Sequence, residues 1–117
     1  MDASTISIRV QNLDSVDLFA CICKTLSDYV GWNYKWKDDY NKTNLINDNE
    51  TTISTNHTAW QVELSKNQEN SKSLIVFAIN DNLGYIFDYS VNSDTMYKEH
   101  VWDFRDMLKS IKFTSSN

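Results

Sequence analysis

The chain has 117 residues, 41% of them apolar and 13% aromatic, enough for one domain (1–117) with a single core and too apolar for wholesale disorder. Its net charge of −5 and pI near 4.8 argue against a duplex nucleic-acid binder, which needs clustered Lys and Arg to neutralise phosphates, and against adhesion to anionic lipid. No apolar run approaches the roughly 18–20 residues that span a bilayer, so membrane insertion is not expected.

Thr5 to Val10 alternates, with Ile6, Ile8 and Val10 on one side and Ser7 and Arg9 on the other, the pattern of a half-buried strand. Gln11 to Asp14 reads as a turn, and Asp14 or Ser15 as the N-cap of a helix over about Val16 to Val30. Phe19, Ile22, Cys23, Leu26 and Val30 form its apolar face, and Gly31 can end it with a left-handed cap. Cys21 and Cys23 stand two apart on this helix and point to different sides. A bridge between them would be badly strained, and two thiols do not complete a zinc site, so both read as small buried or half-buried groups.

Trp32, Tyr34 and Trp36 alternate as a short strand or a loop pinned by rings, and the polar stretch KDDYNKTNLINDNETTIS reads as a long surface connection. Three Asn-x-Thr sequons begin at Asn41, Asn49 and Asn56. Chance alone supplies about two such matches in a chain this rich in Asn, Ser and Thr.

Ala59 to Leu64 alternates through Trp60, Val62 and Leu64, a strand with Gln61 and Glu63 expected outward. Leu74 to Ile79 is apolar without a break, as a strand covered on both faces would be. Asp81 to Gly84 makes the hairpin turn, with Asn82 or Gly84 tolerating positive φ. Tyr85, Phe87, Tyr89 and Val91 then alternate with Ile86, Asp88 and Ser90, and Asp88 is expected in solvent. Ser93 or Asp94 caps a last helix striped by Tyr97, Val101, Phe104, Leu108 and Ile111. The sum is an α+β domain, a mostly antiparallel sheet with helices packed on it.

Three stretches carry a family resemblance. TTISTNHTAWQVELS is similar to a "t-i-g-x-x-A-x-x-v" strand entry, LGYIFDYSV to a "g-x-x-Y-x-i-x-y" strand, and FRDMLKSIKF to a closing "f-x-x-m-l-x-S-f-k-f". In this order they resemble the PsbP-like superfamily over roughly Ser4 to Phe113. The resemblance implies an α/β/α sandwich and a non-catalytic protein-binding module that docks to a larger assembly. Members begin with a hairpin containing Pro-x-x-Trp, whereas this chain has no Pro. Loss of that hairpin would leave a sheet edge open to a partner, a second copy of the chain included. MDASTISIRV lacks the features of a signal peptide. The chain is cytoplasmic if Met1 is the native start, and extracytoplasmic if it is a domain excised from a PsbP-related protein.

The residues themselves offer two candidate sites. Trp32, Tyr34, Trp36 and Tyr40, interleaved with Lys35 and Lys37, suit a protein contact, since Trp and Tyr are favoured interface anchors. Asp38, Asp39 and the net charge count against nucleic acid there. Glu99, His100 and Asp103 stand on one helix with spacings that offer two or three ligands to a divalent ion, although further ligands would have to converge from elsewhere. An acidic inhibitor or immunity-type protein is a third reading, with salt-sensitive binding to a basic enzyme. No cofactor is expected: two isolated glycines make no phosphate-cradling loop, and no G-x-S-x-G element is present.

Overall fold

The unbroken apolar run is the middle of the domain. In the computed structural model, which describes residues 4–13, 26, 29–30, 43–66, 71–81 and 83–113, the strand β4 (Ser71–Asn80) buries every residue from Leu74 to Ala78. Around it stand β1 (Ser4–Asn12), β2 (Thr43–Ile53), β3 (His57–Lys66) and β5 (Leu83–Val91). All neighbours are antiparallel, in the order β1-β5-β4-β3-β2. Strands β2 to β5 form a meander, and β1 joins its far side beside β5.

Because side chains alternate, β4 serves two cores. Leu74, Val76 and Ala78 join Phe87, Tyr89, Val91, Ala59 and Ile53 beneath the helix α1 (Asp94–Lys109). Ile75 and Phe77 join Val62, Ile86, Tyr29 and Val30 on the opposite face, where Leu26, Tyr29 and Val30 are helical. Full burial of side chains this size is worth about 1.5–3 kcal/mol each, so the two-sided β4 anchors the fold.

α1 follows its sequence closely. Ser93 is extended at the N-cap, and its hydroxyl accepts from the Met96 amide at 3.3 Å. Tyr97, Val101, Phe104 and Leu108 are the buried stripe, with Ile111 half-buried beyond it. Asp94 in the first turn and Lys109 in the last both suit the helix dipole. Ser54, with φ 54°, donates its amide to the Leu108 carbonyl at 2.9 Å and ties the β2–β3 turn to the helix end.

Four expectations change. The polar connection contains an eleven-residue strand, β2, paired along β3 with one irregularity between Leu45 and Asn47. Its apolar period is weak because it is an edge strand held by backbone bonds and polar side-chain pairs. Gln61 and Glu63 do not point to water: they share the α1 face with Ala59 and are half-buried. Among the described residues of the β4–β5 turn the left-handed one is Asp81, with φ 55°, and not Gly84, while Asn82 lies outside the described residues. Gly84 lies within β5, where an added Cβ would stand 2.6 Å from Cζ of Tyr29. Glycine is needed there for room, because the fully buried Tyr29 ring lies on that backbone and its hydroxyl donates to Gln11 Oε1 at 2.6 Å. The fourth correction concerns β1, which is exposed along its apolar side.

Candidate functional site

In β1, Ile6 stands opposite Tyr89, Ile8 opposite Phe87 and Val10 opposite Tyr85, so the three aliphatics share the face that α1 covers. α1 lies over β5, β4 and β2. Its cover stops short of β1, leaving Ile6 50%, Ile8 56% and Val10 52% exposed. Covering what remains exposed would contribute roughly 1 kcal/mol per side chain. β1 is also the end of the sheet, and among the described residues no strand pairs with its outer side. An apolar strip and an outer row of backbone donors and acceptors from Thr5 to Gln11, met by no described strand, thus coincide on β1.

The other face of β1 carries Ser7 and Arg9, opposite Asp88 and Ile86. Among the described residues Arg9 makes no ion pair. Asp88, expected in solvent, is half-buried. It accepts from the Ser90 hydroxyl at 2.7 Å, and Ser90 in turn meets the Ser73 hydroxyl at 2.9 Å. The reason is position: β5 is an inner strand, so its polar residues are flanked by β1 and β4.

A polar seam between β3 and α1 holds the helix in place. The Tyr97 hydroxyl donates to Glu63, and Arg105 donates to Gln61 Oε1 at 2.9 Å. Lys72 lies over the Tyr97 ring and pairs with Asp94 at 2.6 Å, while Lys98 reaches the same carboxylate at 3.3 Å. The bonds from Lys72 and then Lys98 hold the Asp94 carboxyl below its ordinary value. Burial, then the bond to Glu63, raises the Tyr97 phenol. Tyr89 stacks between Tyr97 and Phe104, and burial raises its phenol too. Its hydroxyl is buried without a hydrogen-bond partner among the described residues. This seam is structural in form: its groups are spent on one another.

The aromatic cluster Trp32, Tyr34, Trp36 and Tyr40 lies outside the described residues, as do Cys21 and Cys23. Glu99, His100 and Asp103 are exposed on α1. His100 Nδ1 is 3.4 Å from Asp103 and Nε2 3.9 Å from Glu99, so its two ring nitrogens face different carboxylates. Among the described residues no group of three or more His, Cys, Asp or Glu is arranged to hold a metal ion. No described helix is long and apolar enough to cross a membrane. Trp102, 66% exposed with the Arg105 guanidinium over its ring, is the one exposed large apolar side chain on α1 among the described residues.

Sequence reasoning found Ile6, Ile8 and Val10 but read them as the buried side of a half-buried strand. The missing signal was strand order, which alone tells that β1 is an edge. No protein-family model matches the chain, and no curated protein shows significant similarity to it.

Proposed function

We propose that this domain is a non-catalytic protein-binding module that takes an extended segment of a partner onto β1. The observation that carries this reading is the coincidence of a half-exposed Ile6, Ile8 and Val10 strip with the outer edge of the sheet. In such β-augmentation the partner's backbone completes the ladder, and its alternate side chains cover the strip. The resemblance to the PsbP-like superfamily, with its docking to larger assemblies, supports the same class of function.

The test uses a labelled peptide with the alternating sequence STISIRVQN, whose apolar residues match the strip in period. Saturable binding, weakened at least tenfold by Ile8→Lys in the domain and unchanged by Glu50→Lys on β2, is expected. No binding, or binding indifferent to Ile8→Lys, would overturn the reading.

A further inference from the structure

Resting on β1 as the docking edge, we infer that its occupant is a second copy of this chain, paired β1 to β1 about a twofold axis at Ile8. Antiparallel partners that keep the apolar strips on one side must pair even positions with even and odd with odd. Of the registers that do so, those centred on Ser7, Ile8 and Arg9 pair the most residues of Thr5 to Gln11. Centred on Ile8, Ile6 faces Val10 of the second copy, Ile8 faces Ile8, and all three aliphatics on each strand find an apolar partner. Centred on Ser7, Val10 would face Ser4. Centred on Arg9, two guanidinium groups would stand directly opposite, which is destabilising.

The charges are compatible with the same register. With Ile8 at the centre, Arg9 of one copy faces Ser7 of the other, and Ser7 is itself opposite Asp88. Strands lie about 4.8 Å apart, so the second copy's Arg9 stands about 10 Å from Asp88, across a small serine, whereas the first copy's own Arg9 is a diagonal neighbour of that carboxylate at about 7–8 Å. Arg9 and Asp88 are opposite charges that meet no ion-pair partner among the described residues of one copy. The pairing adds a second guanidinium on the same face of the sheet as each Asp88, once on each side of the axis.

The alternative edge argues against itself. β2 exposes Asp48, Asn49 and Glu50 and carries an irregularity between Leu45 and Asn47, both of which discourage strand addition. A β1-to-β2 contact would also be head-to-tail and would extend without closing, whereas the β1-to-β1 contact closes as a dimer with one continuous ten-stranded sheet.

The experiment measures the mass of the full chain by light scattering across a concentration series, together with oxidative cross-linking of single cysteines placed in β1 of a C21S/C23S background. A concentration-dependent dimer is expected, its dissociation constant raised at least a hundredfold by Ile8→Lys and less than about threefold by Ile8→Val. Ile8→Thr, which keeps the strand propensity and removes the apolar contact, should weaken it too, with the circular-dichroism melt confirming a folded monomer. Directly opposed Cα atoms stand within disulfide reach, whereas a two-residue offset puts them about 8 Å apart, so I8C should cross-link and S7C and R9C should not. A monomer at every concentration, a dimer indifferent to Ile8→Lys, or preferential cross-linking of S7C or R9C would each overturn the inference. A monomer that still binds the STISIRVQN peptide would remove the second copy and keep β1 as an acceptor edge. A monomer that does not bind it would remove both.

Discussion

The two edges of the sheet are built on opposite plans. β2 is polar on its exposed residues, breaks its register once, and spends its side chains on its neighbour: Asp48 accepts from the Trp60 indole, and Asn49 from Gln61 at 3.0 Å. Among its described side chains it enters the core at its end, through the fully buried Ile53. β1 has a continuous register over all nine residues, one charge, and three aliphatics left half in water. The difference teaches that exposed polar residues on β2 are a closure and exposed aliphatics on β1 are an invitation. A sheet with both edges to close would carry the β2 pattern twice.

Matched substitutions sharpen that contrast. The largest loss is expected where β2 meets the core: Ile53→Ala should cost about 2–4 kcal/mol of unfolding free energy in denaturant titration. Gly84→Ala comes next, at about 1–3 kcal/mol, since its methyl would collide with the Tyr29 ring and β1 is bound to that ring through Gln11. Glu63→Gln should cost about 1 kcal/mol by weakening the bond that accepts the Tyr97 hydroxyl. The equivalent change on the open edge, Ile8→Ala, should move monomer stability by no more than about 1 kcal/mol when measured at the lowest workable concentration. An Ile8→Ala cost as large as that of Ile53→Ala would erase the distinction between the edges.

The seam beneath α1 also predicts a pH dependence independent of either edge. Tyr97 is raised in the folded chain above its ordinary 10.0, so the unfolded chain gives up that proton first as pH rises. This contribution is intact below pH 10 and lost progressively above it. Tyr97→Phe should flatten the alkaline limb of the stability profile by about one proton. Asp94 runs the other way: its carboxyl is lowered from 3.8, so its contribution is present above that pH and lost as pH falls through the lowered value. An alkaline limb as steep in the Tyr97→Phe variant as in the parent would show that the phenol is not held by burial and Glu63.

Where one side chain reports its own surroundings, the sequence was readable. The LIVFAI run announced a two-sided strand, and Tyr97, Val101, Phe104 and Leu108 announced the buried stripe of α1, because burial there follows from period alone. What depended on distant partners was not readable. Gln61 and Glu63 alternate as solvent residues do, and only the position of α1 makes them partners of Arg105 and Tyr97. β2 lacks apolar alternation because an edge strand can be held by its ladder and by polar pairs. Gly84 looked like a turn glycine because nothing local reveals a tyrosine ring arriving from fifty-odd residues upstream. Ile6, Ile8 and Val10 looked buried because the order of strands is a property of the whole sheet.

The measurement that bears most directly on β1 as the edge that pairs with a second copy is amide hydrogen exchange of the full chain over a concentration series, comparing Thr5 to Gln11 with Asp48 to Ile53. Protection should rise with concentration along β1 and stay constant along β2. A flat profile along β1, or a rise confined to β2, would contradict the account.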